Sequence, residues 1–197
     1  MNFLAHLWLA DQSQTSLAGS VLGDVVHGSD LSAYPADIVE GIRLHRRIDA
    51  ATDRHPRIVA LRERYPDGAR RYAGILLDLI ADHVLIQQWS QHSAEPLTDF
   101  CRRCGVAIEA AAPWFLLAGG RRSSAAQFER LLLSYGEVAG IDHAIRRTAE
   151  RLRKPELLLR AAEGWTTTAE ALRPQLAELL GDLRRLALEP APIVPTH

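Results

Sequence analysis

Ionisable side chains continue an apolar helical stripe in this chain, and that placement limits what it can fold into. If residues 35–52 form one helix, Ile38, Ile42, His45, Asp49 and Asp53 follow at steps of four, three, four and four and share a face. A face that begins apolar turns toward a core, so His45 and Asp49 are carried inward. Burying such groups is costly unless they hold a metal or a reacting group. Arg43, Arg46, Arg47 and Arg54 stand across the helix, and structural ion pairing is the competing reading.

A second cluster tips that balance. Residues 68–89 read as a long helix with Ile75, Asp78, Asp82, Leu85, Ile86 and Trp89 on one stripe. Asp78 and Asp82 lie one turn apart, and two close carboxylates repel unless a cation or a shared proton lies between them; a cation is the simpler answer. His83 is rotated by roughly 100° from Asp82. A third helix over residues 16–27 places Asp24 on the stripe of Leu17 and Val21, and Gly19 and Gly23 leave room for a neighbouring backbone. The run from Phe3 to Ala10 is apolar on all sides except at His6.

These candidates are rich in oxygen: Asp24, Asp49, Asp53, Asp78 and Asp82, with His6, His45 and His83 as a minority of imidazoles. Such a donor set suits a divalent metal, Mn²⁺ first and Mg²⁺ second, whereas structural zinc favours thiolates. Cys101 and Cys104 form a CxxC, but nothing nearby supplies two more zinc ligands and no βαβ pattern supports a redox role. Both read as ordinary helical cysteines.

Helical periodicity dominates and alternating β-branched runs are absent, so the expected fold is all-α. At 197 residues and 47% hydrophobic, the chain suits one domain over residues 1–188, followed by a loose Pro-rich tail over 189–197. Further helices are expected over 56–64, 97–111, 124–134, 141–152 and 155–186, the last bent near Gly164 or Pro174. No apolar run reaches the ~18 residues of a membrane span, the first ten residues lack a basic signal region, and a cytoplasmic protein is expected. Between Arg43 and Arg71, nine arginines face four acids in a chain of net charge −1. Beside a metal site, that excess suits a phosphate-bearing substrate or an acidic partner. Without interleaved aromatics, it argues against nucleic acid.

The order of these segments resembles the acyl carrier protein phosphodiesterase family. The resemblance is carried by Met1-Asn-Phe-Leu-Ala-His-Leu7, Gly23-Asp-Val-Val-His-Gly28, Gly41-Ile-Arg-Leu-His-Arg-Arg-Ile-Asp49 with Thr52-Asp53, Leu77-Asp78, Asp82-His83 and Trp89-Ser90. It covers about the first ninety residues. The family is similar to the HD phosphohydrolases, so the resemblance implies a helical bundle of that kind. It also implies hydrolysis of the phosphodiester that joins 4′-phosphopantetheine to a serine of holo-acyl carrier protein.

For that reaction the residues themselves offer Asp24, His45, Asp78 and Asp82 as leading metal ligands, with Asp49 and His83 as further ligands or as groups orienting them. Arg46 or Arg47 would bind phosphate oxygens. His6 or His83 would protonate the leaving serine, and Asp49 belongs with the catalytic groups. The arginine-rich segment would dock the acidic carrier protein. Two alternatives stay open: an HD-type phosphohydrolase acting on nucleotides, and a noncatalytic helical adaptor that binds carrier proteins.

Overall fold

The computed structural model describes residues 1–66 and 68–189, and every regular element among them is helical, as expected. In chain order the helices are α1 (Phe3–Gln12), α2 (Leu17–Leu22), α3 (Ala36–Arg54), α4 (Pro56–Arg62), α5 (Arg70–Gln87), α6 (Trp89–His92) and α7 (Leu97–Ala110). They continue with α8 (Ala112–Leu117), α9 (Ala125–Ser134), α10 (Val138–Ala149), α11 (Pro155–Ala161), α12 (Trp165–Leu172) and α13 (Leu176–Leu188).

α1 is the central rod. A helix without a polar face has to be covered on all sides, and α1 is buried over seven consecutive residues, from Leu4 to Ala10. It packs against α2, α3, α5 and α13. α5 is buried without a break from Leu79 to Leu85. Leu4, Leu7, Leu9, Ile80 and Leu85 have no exposed surface, and each such side chain contributes about 1.5–3 kcal/mol of burial. The single polar residue of the α1 run, His6, is thereby carried into the interior at 1% exposure.

Small residues set the approach of α2 to α3. A Cβ on Gly19 would lie 2.5 Å from the Ile38 carbonyl oxygen, and one on Gly41 would lie 2.7 Å from Gly19 Cα. The two backbones therefore touch, and the chain leaving α2 is laid over α3. α2 is shorter than the helix expected over 16–27. Beyond Leu22 the amides of Val25 and Val26 both fold back onto the Leu22 carbonyl oxygen, at 2.9 and 2.8 Å, which turns the chain and places Asp24 outside the helix.

Two other long readings also divide. The helix expected over 68–89 ends at Gln87, and Trp89 begins α6 with its indole N–H donated to the Glu95 carbonyl at 2.7 Å. The segment 155–186 is three helices, broken at Gly164, whose φ of +68° is left-handed, and at Pro174 inside the 3₁₀ turn Arg173–Gln175. Ser124 caps α9 through a reciprocal pair with Gln127, each side chain bonding the other's backbone N–H. Cys101 and Cys104 are both buried, and burial pushes their thiols up, that of Cys101 to about 12. Among the described residues no helix is long and apolar enough to cross a membrane. Apart from Glu189, the tail expected over 189–197 lies outside the described residues, as does Asp67.

Candidate functional site

α1 and α3 meet at two imidazoles and a carboxylate. The rings of His6 and His45 stack with centroids 3.9 Å apart. Asp49 lies between their Nε2 atoms, 2.9 Å from His6 by Oδ1 and 3.1 Å from His45 by Oδ2. Asp24, delivered by the turn after α2, adds Oδ1 at 3.4 Å from His45 Nε2. Among the described residues, His6, His45 and Asp49 form a group that could hold a metal ion, their donor atoms all lying within 4.8 Å of one another.

Gly23 shapes this corner. A Cβ there would stand 2.5 Å from the Cδ2 of His45, so the ring occupies space that any other residue would fill. The expectation of a close neighbour at Gly23 is met by a side chain and not by a backbone.

The floor is buried and the mouth is open. His6 and His45 are covered, whereas the side chains of Asp24, Asp49 and Asp78 keep 44%, 43% and 40% of their surface. Burial drives the His6 pKa down to about 4, against the pull of its hydrogen bond to Asp49. For His45, burial also opposes the charge, but Asp24 and Asp49 together overcome it and raise the value to about 9. Asp49 is partly buried too, yet hydrogen bonds from both imidazoles hold it well below the usual carboxylate range.

The donor set fits a divalent cation on two observations. Nε2 atoms and carboxylate oxygens of three elements converge within hydrogen-bonding distance. The α-ammonium of Met1, itself buried, lies 2.8 Å from Asp78 Oδ1 and 3.4 Å from Asp49 Oδ1, so positive charge is already accommodated between these two carboxylates.

Other expected site residues stand elsewhere, each for a physical reason. Asp82 has no exposed surface and accepts the amides of Leu4 and Ala5, at 2.8 and 3.0 Å. The first turn of a buried helix needs acceptors, and both Asp82 oxygens serve as them, while burial pushes the Asp82 carboxyl up to about 7. His83 is turned off that face as its 100° offset dictates: Nδ1 lies 2.8 Å from the Tyr135 carbonyl oxygen and the ring meets Trp165 edge-on. It lies apart from the His6, His45 and Asp49 cluster.

Arg46 donates to the Val26 carbonyl at 2.8 Å, and Arg47 to that of Leu186 at 2.7 Å in the last turn of α13. Both close backbone acceptors, and Arg47 does so at a helix C-terminus, where a cation is favoured. Asp53 sits one turn beyond Asp49 and pairs with Arg62 at 3.2 Å. The Met1 ammonium was not signalled by spacing, and Gly23 signalled a close neighbour without naming His45. The Asp49 to Asp53 step pointed to Asp53 itself but could not name its partner on α4.

A family model described as acyl carrier protein phosphodiesterase matches residues 1–183. A curated protein of that name from Enterobacter sp. (strain 638) is 48% identical over 103 residues, which are 52% of this chain and 53% of that protein. One from Escherichia coli is 46% identical over 101 residues, 51% of this chain and 52% of that protein. The chain thus spans about half the length of the curated relatives it matches. No solved structure matches.

Proposed function

The chain belongs to the acyl carrier protein phosphodiesterase family, and from that premise we propose that it hydrolyses holo-acyl carrier protein to the apo form and free 4′-phosphopantetheine. The observation that carries this reading is the convergence of His6, His45 and Asp49 beneath an open mouth of carboxylates. A phosphodiester carries negative charge and repels an attacking anion, so a site that cleaves it must neutralise that charge and stabilise a departing alkoxide.

His6, His45 and Asp49 would hold a divalent metal, with Asp24 and Asp78 flanking it; the mixed set favours Mn²⁺, then Mg²⁺. Bound there, the metal would lower the pKa of a water and offset the phosphodiester charge. The protein's own groups do the rest. Asp49, clamped between two rings, fixes their orientation. Asp24 and Asp78, half-exposed at the mouth, are placed to take a proton from attacking water and return one to the leaving serine. Neither imidazole is free for that task while it is a ligand. The buried floor keeps bulk water behind the reacting atoms away.

Exposed Arg54, Arg64 and Arg71 leave positive charge for an acidic partner. Arg57 is engaged by Glu178. The test is a mass measurement of holo-acyl carrier protein after incubation with Mn²⁺-loaded protein, beside a panel of nucleotides. Loss of the mass of 4′-phosphopantetheine from the carrier, and from no nucleotide a phosphate, is the expected result. An unchanged carrier would overturn the proposal.

A further inference from the structure

We infer that Arg62, from α4, is the residue that grips the phosphodiester beside the His6, His45 and Asp49 cluster; this rests on the function proposed above and assigns its substrate-binding cation. α3 and α5 are linked here through partners that both of them touch. Asp49 of α3 and Asp78 of α5 share the Met1 ammonium, so these two positions face each other. One turn from each of these positions stand Asp53 of α3 and Gly74 of α5, and Arg62 lies against both. The Arg62 guanidinium fills that second step. Its Nη1 lies 3.2 Å from Asp53 Oδ1, and its Cζ lies 3.8 Å from where a Cβ on Gly74 would stand.

The guanidinium is therefore about one helical turn, on the order of 5–6 Å, from the carboxylates at the cluster's mouth. That is the reach of a second phosphate oxygen when the first lies at the cluster. Several features fit this task. Asp53 uses one of five N–H donors and is itself exposed, so the pair is weak and the fork keeps free donors for a planar, bidentate grip. Gly74 has no side chain to cover the guanidinium on the α5 side. The two arginines first expected to bind phosphate, Arg46 and Arg47, are held by backbone carbonyls, whereas Arg62 is held by the Asp53 side chain.

The experiment compares wild type with R62Q, R62K and D53N, all Mn²⁺-loaded, in three measurements. These are calorimetric binding of inorganic phosphate, KM and kcat on a small aryl phosphodiester, and KM and kcat on holo-acyl carrier protein. R62Q is expected to weaken phosphate binding and raise KM for both substrates by roughly ten- to a hundredfold, as for a lost charge-assisted bond. R62K should recover part of that loss, and Mn²⁺ affinity should stay within about twofold of wild type. Losses confined to the carrier protein would make Arg62 a docking residue and overturn the inference. Equal losses in D53N and R62Q would show that the ion pair and not the phosphate contact matters, and would overturn it too. If wild type cleaves neither substrate, the proposed function fails, while phosphate binding by wild type against R62Q still decides the role of Arg62.

Discussion

At the scale of single residues, the site depends on space as much as on charge. Replacing Gly23 by Ala would put a methyl group into the His45 ring, and the ring cannot yield without leaving Asp49. Displacing a ligand by about 1 Å commonly costs on the order of 10²-fold in rate. The expected result is a comparable fall in kcat and weaker Mn²⁺ binding with the far-ultraviolet circular dichroism retained; normal metal affinity would refute the contact. His45 also predicts a pH dependence. Its folded pKa is raised to about 9 from 6.5, so in the metal-free protein its contribution to stability is complete below about pH 6.5. That contribution is lost as pH rises through 9. Denaturant titrations of chelated protein should show stability falling between those values, and His45→Gln should flatten that slope.

At the scale of helices, Asp82 is a fastening for α1. Its carboxylate satisfies two amides of the first turn, and the next residue after them is His6. Asp82→Ala orphans two buried N–H groups at about 1–3 kcal/mol each, so a loss of roughly 2–6 kcal/mol in urea unfolding is expected, with His6 loosened in consequence. A variant within 1 kcal/mol of wild type would remove this role.

Helix identity was legible over residues 38–53 and 75–86 because their apolar periods are long and regular. The breaks at Gly164 and Pro174 fell at flagged residues for the same reason. What escaped the sequence was long-range. Asp82 and Asp78 share a stripe, but which of them faces the cluster depends on α1 arriving with unpaired amides from 77 and 78 residues away. His45 and Asp49 form an i,i+4 pair visible in any helix, whereas His6 enters only because α1 is buried all round. Arg46 and Arg47 looked free because spacing cannot show which carbonyls at the ends of other elements need a donor.

At the scale of the whole molecule, the cluster ties the central rod to the helix packed beside it. His6 comes from α1, while His45 and Asp49 come from α3, and the core they join is one contiguous apolar cluster running from Met1 to Ala187. A cation held by these three residues would bind the folded chain and not the unfolded one, because the ligands are about forty residues apart in sequence. Its effect on stability then follows from mass action. At a free concentration 100 times Kd it adds about 2.7 kcal/mol, and for a chain of this size each kcal/mol shifts Tm by roughly 2–4 °C. Mn²⁺ should therefore raise Tm of chelator-treated protein by roughly 5–10 °C. The shift should grow with the logarithm of metal concentration and disappear in Asp49→Asn, which weakens the carboxylate shared by both rings. Calcium, which prefers more oxygen ligands and a larger shell, should produce a smaller shift at equal concentration. The readout does not depend on catalysis: a Tm indifferent to Mn²⁺ across that range would exclude a metal at His6, His45 and Asp49 whatever substrate the protein acts on.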